Sequence, residues 1–254
     1  MWRASGLRAL SCLVALAFIG LWQAAASAQL ISPIYLPGPD QVFRALIDGV
    51  ENGALLDQTF GTIERMIYGW LIASFIGILI GSLIGVSKGA RDYLQPMLEF
   101  LRPLPASALI PLAIALLGLS DAMVLSVVGF AALWPTLLAT IHGFSSVEPR
   151  LYEVSAALGL RRLDVVRKIA LPNALPDIMT GMRLSLNYAL ILTVVGEMLG
   201  GGSGLGYWIL EASRSFRAPN LYAGVALLGA IGYASAALLS VAERHLLRWR
   251  LEGK

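Results

Sequence analysis

Charge is what this chain has least of. Only 14% of its 254 residues are Asp, Glu, Lys or Arg, against roughly 25% in an ordinary soluble domain. The single cysteine, Cys12, rules out an internal disulfide, and the two histidines, His142 and His245, join no cysteine in a metal-ligand spacing. No G-x4-G-K-[ST] run occurs, so the chain carries no phosphate-cradling loop of its own. The glycine-rich stretch Gly200–Gly206 misses the G-x-G-x-x-G register and follows an apolar segment instead of a strand, which excludes a dinucleotide fingerprint. No catalytic, cofactor-binding or metal-binding residue is therefore expected.

What is abundant is apolar sequence, at 57%. A spanning helix takes about 20 mostly apolar residues. Leu10–Ser27, Met66–Ser87, Met123–Val147 and Leu221–Ala242 qualify without a formal charge, and Ile178–Leu199 qualifies despite Arg183 and Glu197. Leu104–Ser120 adds a shorter run. No ten-residue alternation suggests a membrane barrel, so the expectation is an all-α polytopic membrane protein with about six transmembrane helices. The N-terminus also carries signal-peptide features, with Arg3 and Arg8, an apolar run and Ala26-Ser27-Ala28. The length of that run favours a retained first span over residues 1–28.

All but four of the 19 lysines and arginines sort to one side of these spans; Arg44, Arg65, Arg214 and Arg217 fall on the other. The positive-inside rule then places both termini in the cytoplasm. The net charge of +3 thus reflects topology. Its spread over separate segments gives no basic patch for nucleic acid.

The expected organisation is a single transmembrane domain over 1–254. An external segment, 29–65, contains an amphipathic helix starting near Asp40; it either docks an extracytoplasmic partner or lies on the bundle. Core spans fill 66–242 and a cytoplasmic tail follows at 243–254. In the second span Gly69, Ala73, Gly77, Gly81 and Gly85 recur every four residues, which marks a close helix contact. Pro111 is expected to kink the third span. The turn Gly200–Gly206 reads as a flexible external connection. On the fifth span Thr180, Arg183, Asn187, Thr193 and Glu197 share an arc of about 140°. This makes Arg183, Asn187, Thr193 and Glu197 candidate pathway-lining residues, although Arg183 and Glu197 also suit a snorkelling role at the two interfaces.

Residues 148–172 form a charged island between two apolar segments. Within it Glu153, Gly159, Ile169, Leu171 and Pro172 keep the spacing E-x5-G-x9-I-x-L-P. Two short helices are expected around a left-handed Gly159, the second stopped by Pro172. That spacing resembles the EAA loop of bacterial ABC importer permeases, with Val154 and Ser155 in place of the two alanines. Leu101-Arg102-Pro103-x-Pro105, Gly181-x-Arg183-Leu184, Glu197-Met198 and Gly204-Leu205-Gly206-Tyr207 extend the likeness to the nitrate/sulfonate/taurine group.

The resemblance implies a type I ABC importer permease fold in the bacterial inner membrane. It implies a homodimer or a pair with a second permease, two copies of a cytoplasmic ABC ATPase, and a periplasmic substrate-binding protein. It also implies an ATPase-coupling loop made of Glu153, Val154, Ser155, Leu158, Gly159, Ile169, Leu171 and Pro172. The cargo would be a small oxyanion or sulfonate such as nitrate, a sulfonate or taurine.

Two other classes compete. A secondary transporter would need no cytoplasmic knob. An intramembrane serine protease would use Ser203 in Gly201-Gly202-Ser203-Gly204, but its base would have to be His142 or His245, which the topology puts across about 30 Å of bilayer core. Single cysteines at Ser146, Ser203 and Lys254 in a Cys12-free background are predicted to react from the inside, outside and inside respectively with an impermeant thiol reagent. Outside labelling at Ser146 would overturn this topology.

Overall fold

The structure, a computed structural model, describes residues 2–248, with side chains from Leu10 onward except those of Ser11, Cys12, Arg162 and Gly201. The expectations attached to Lys254 and to the end of the tail therefore lie outside the described residues, and Cys12 is described in its backbone alone. Every regular element among the described residues is helical. The helices are α1 (Trp2–Ser27), α2 (Pro39–Glu51), α3 (Ala54–Val86), α4 (Lys88–Leu101), α5 (Ile110–Leu117), α6 (Asp121–Ser145), α7 (Pro149–Ala157), α8 (Arg162–Val165), α9 (Leu171–Gly196), α10 (Leu205–Arg214) and α11 (Ala218–Leu246). A 3-10 turn, Ala106–Leu109, precedes α5, and π-helical turns at Val166–Ala170 and Glu197–Gly201 flank α9.

Among the described residues, four helices are long and apolar enough to cross a membrane: α3, α6, the continuous run Leu163–Gly200 that contains α9, and α11. The α4–α5 pair makes a fifth if it counts as one bent span, and α1 adds the shorter apolar stretch Leu13–Ser27. The expected count of about six is reached only by including both.

Three boundaries differ from the sequence expectation. First, α3 begins at Ala54, so residues 54–65 of the expected external segment are helical and form its opening turns. Second, the third span is not a straight crossing. Lys88–Leu101 and Ala106–Leu117 meet at 75°, and the latter reaches only about 18 Å, well short of the bilayer core. The break falls at Arg102–Pro105, not at Pro111. Pro111 sits in the first turn of α5, where a missing N–H costs nothing. Third, Pro172 does not stop the helix that precedes it. The π turn before it has already left the i→i−4 ladder, so the chain runs through Pro172 and Pro176 into α9.

Helix α6 stands at the centre, between α3 and α9. Its contact with α3 uses the four-residue repeat, whose members Gly69, Ala73, Gly77, Gly81 and Gly85 are all buried. A methyl group on Gly81 would lie 2.7 Å from Thr140 Cβ and 2.8 Å from Leu137 O, and one on Gly77 would lie 3.1 Å from Leu137 N. On the other side, a methyl on Gly181 would meet Ala139 Cβ at 2.6 Å, and one on Gly143 would meet Ala174 Cα at 2.8 Å. Backbones that approach this closely gain dispersion contacts, which matter most where lipid removes the hydrophobic drive between helices. Trp70 Nε1 donates to Met182 O at 3.0 Å, linking α3 to α9. Ser185 Oγ donates to Ala132 O at 2.5 Å, one turn before Pro135 in α6.

The periphery is looser. Helix α11 buries little of its length, and Val225, Tyr233, Leu238 and Val241 are exposed for lipid. Helix α2 lies on the bundle through Val42 and Gly49, and leaves Phe43, Ile47 and Val50 outward.

Gly81→Leu is expected to lower the thermal unfolding midpoint of the detergent-solubilised protein, by overpacking that costs about 1–3 kcal/mol. Gly229→Leu, on α11 where a Cβ meets nothing within 4 Å, should leave the midpoint near wild type. Equal shifts would mean that the close α3–α6 approach is not limiting.

Candidate functional site

The two chemically distinctive parts of the chain lie at opposite ends of the bundle. At one end, α3 and α6 finish at Val86 and Ser145, and α7 leads into the charged island. Pro149 occupies the first turn of α7, a position that needs no N–H donor. The helix closes with a Schellman arrangement: Gly159 N donates to Ala156 O and Leu160 N donates to Ser155 O, both at 3.0 Å. Gly159 takes φ +66°, a conformation that costs a β-carbon-bearing residue energy.

The two faces of this knob differ. Ser155 is buried, its hydroxyl donating to Tyr152 O at 2.7 Å, which explains why a small residue stands there. Tyr152, Val166 and Ile169 pack on a second core made by Phe144, Val147, Ala170, Ala174 and Ile178. Asn173 Nδ2 donates to Gly143 O at 3.1 Å and to Ser146 Oγ at 3.2 Å, fixing the knob to the end of α6. The outward face carries exposed Val154, Leu158 and Leu163 beside Glu153. Leu171 is partly exposed and Pro172 half-buried at the root of α9. Glu153 makes no ion pair among the described residues.

At the other end is a fully buried carboxylate. Glu197 is 0% exposed. Arg65 Nη1 donates to its Oε1 at 2.9 Å, and Gly206 N donates to its Oε2 at 3.0 Å. The Thr62 hydroxyl lies 3.0 and 2.9 Å from the two oxygens and accepts from Leu205 N at 2.8 Å. Arg65 also donates from Nε to Asp121 Oδ1 and from Nη2 to Ser203 Oγ, both at 2.7 Å. Gln58 Oε1 accepts from Gly204 N. One arginine of α3 thereby ties the start of α6, the end of α9 and the entry to α10.

Gly204, at φ +100°, leaves room for the carboxylate that a side chain would occupy. The turn Gly200–Gly206 is thus pinned, not flexible, because three successive amides spend their donors on α3 and Glu197.

The five-residue stripe on α9 divides. Thr180, Arg183 and Asn187 are exposed, and Arg183 pairs with Glu243 of α11. Thr193 and Glu197 are sealed inside the chain. An arc of about 140° is wide enough to straddle two environments, and the Arg65 clasp draws its far side inward. Ser203 is held by Arg65 beside Asp121, whereas His142 lies at the other end of α6, about 31 Å along the axis. His142 is therefore out of reach of Ser203 as the base that the intramembrane-protease reading requires.

Residues 73–251 match the family described as binding-protein-dependent transport system inner membrane component. The chain belongs to this family. It is 32% identical over 232 residues to the putative aliphatic sulfonates transport permease protein SsuC of Bacillus subtilis, covering 91% of this chain and 84% of that one. It is 28% identical over 237 residues to the taurine transport system permease protein TauC of Escherichia coli, covering 91% and 86%. Among solved structures, a chain of the MetNI methionine ABC transporter in an inward-facing conformation superposes with a TM-score of 0.66. That match covers 78% of this chain and 96% of the other at 19% identity, so it bears on the fold alone.

The fold is that of type I ABC importer permeases, and the chain is a membrane-spanning permease subunit of an ABC importer. A separate ATPase and a substrate-binding protein are the partners that membership implies. Neither the secondary transporter nor the serine protease is favoured.

Sequence reasoning did not find Thr62 and Arg65 as partners of Glu197, nor Gln58 and Asp121 as the groups that bind Gly204 and Arg65 beside it. A signal was present: a carboxylate at the end of an apolar segment needs a cation, and Arg65 stands immediately before the run Met66–Ser87. Glu197→Ala should lower the thermal unfolding midpoint in detergent by the equivalent of roughly 3 kcal/mol, because it takes one of two carboxylates from a mostly buried arginine and leaves the Gly206 amide without its acceptor. Asp121→Ala, at the 67% exposed end of the same network, should cost at most about 1 kcal/mol. Shifts of similar size would show that the buried pair does not hold this end together.

Proposed function

We propose that this permease works as a homodimer in the bacterial inner membrane, with both termini in the cytoplasm, and imports a small oxyanion or sulfonate. A periplasmic binding protein delivers the solute, and two copies of a cytoplasmic ATPase drive the cycle. The aliphatic sulfonate and taurine permeases to which the chain is similar support this cargo class.

The observation that carries the reading is the knob at residues 148–172, held from behind by its own core and presenting Glu153, Val154, Leu158 and Leu163 outward. Its second half continues without a break into α9. The run Leu163–Gly200 amounts to a lever about 57 Å long, rooted in the knob at Ile169, Leu171 and Pro172 and clasped at the far end through Glu197. Closure of an ATPase groove around the knob would tilt this lever as a rigid body. Arg183 and Asn187 ride on its exposed side, and in this scheme they face the pathway between two copies. Thr193 and Glu197 transmit the movement from within.

Gly159→Val forces a β-branched residue into the left-handed region. The expected result is a membrane-inserted protein that either loses its ATPase on co-purification or keeps it without transport in proteoliposomes. Glu153→Ala should be milder, since an exposed ion pair contributes about 0–1 kcal/mol. Wild-type transport by Gly159→Val with the ATPase still bound would remove the knob from the coupling role.

A further inference from the structure

A cavity of about 610 Å³ opens between the α4–α5 break, α6 and α9. It reaches from Ala131 to Ala139 along α6 and from Leu184 to Val195 along α9, and so spans the middle of α6 and the second half of α9. Its existence follows from the fold. The chain turns by 75° at Arg102–Pro105, and the short α5 leaves the flank of α6 uncovered.

The wall has an uneven chemistry. Arg102 supplies its one cation and makes no ion pair among the described residues. Ser107 and Tyr188 supply hydroxyls, and the Trp134 indole N–H, on the same wall, has no hydrogen-bond partner. No carboxylate among the described residues lines it, and the remainder is aliphatic or proline, with Leu184 and Ile191 on the α9 side. Arg102 also borders a smaller recess of about 320 Å³ toward the knob end, where Arg91 and His142 stand beside Glu99.

We infer that this cavity is a substrate subsite within the permease, selective for an aliphatic monosulfonate without an ammonium group. The inference rests on the importer reading above and narrows it. A single guanidinium with neutral donors matches a sulfonate head of charge −1, because guanidinium binds oxyanions through paired N–H bonds. The apolar wall rewards an alkyl tail by burying it, at about 0.8 kcal/mol per methylene. Taurine would bring an ammonium that finds no carboxylate here, and burying an unpaired cation is costly. Nitrate fits the cation but leaves the apolar wall empty.

The test uses the permease–ATPase complex in nanodiscs, in a Cys12-free background with Ala106→Cys on the cavity wall. The rate of modification by N-ethylmaleimide is measured with sodium butane-1-sulfonate, taurine, sodium nitrate or no addition. Butanesulfonate should slow modification by about tenfold, equivalent to roughly 1.4 kcal/mol of preferential occupancy, with much weaker protection by taurine and nitrate. Arg102→Gln should abolish the protection, and Arg102→Lys should retain part of it with the ATPase still bound.

Equal protection by taurine would overturn the selectivity, and no protection by any anion would overturn the subsite. If protection is absent while the complex stays assembled and still transports sulfonate, this inference alone fails. A chain that never retains an ATPase would sink the importer reading itself.

Discussion

The structure depends on how closely two helices can approach a third. In lipid, apolar side chains gain nothing by leaving the solvent, so α3 and α9 are held to α6 by dispersion and by a few hydrogen bonds. Gly77 and Gly81 on one flank and Gly181 and Gly143 on the other reduce the separation until the backbone of one helix touches the side chains of the next. Trp70 and Ser185 then have carbonyls within reach on neighbouring helices. Any looser contact would leave those donors unsatisfied where no water can replace the partner.

Both ends of this three-helix core are fastened, by different means. At the knob end the fastening is mostly apolar, through Phe144, Ala170, Ala174 and Ile178, with Asn173 bridging back to α6. At the other end it is ionic, through a buried carboxylate that accepts from an arginine, a threonine and a backbone amide. The difference has a mechanical consequence. An apolar contact tolerates small sliding, whereas a buried, directionally bonded pair has few alternative arrangements. The long run through α9 is therefore held more rigidly at the Glu197 end than at the knob, the geometry expected of a lever driven from the knob.

Several features are legible in the amino-acid sequence. The α3 glycine repeat follows from side-chain periodicity, and Gly159 follows from the geometry that ends a helix. The arginine clasp is legible only as a carboxylate in need of a cation, because Arg65 and Glu197 are separated by 132 positions and nothing local in either segment names the other. The bend at the third span is misplaced by sequence reasoning for a related reason. Pro103, Pro105 and Pro111 all disfavour a continuous helix, and only the packing of α5 against α6 decides which of them marks the bend. Pro172 has the sequence character of a helix stop, yet the π turn ahead of it absorbs the lost donor. The stripe on α9 fails as a unit because periodicity gives an angle, not the identity of the neighbour that occupies it.

By itself the sequence determined the all-helical membrane class, the approximate spans, the knob and the family likeness. These depend on composition, period and short spacing, all of which are local properties of a chain. Only the tertiary structure decided that Glu197 is buried and paired, that the glycine turn is pinned, that Thr193 and Glu197 part company with Arg183 and Asn187, and that a cavity opens beside Arg102. Each of these depends on which helices meet and at what depth, and that is set by the close approach of α3 and α9 to α6, a contact between segments far apart in the chain.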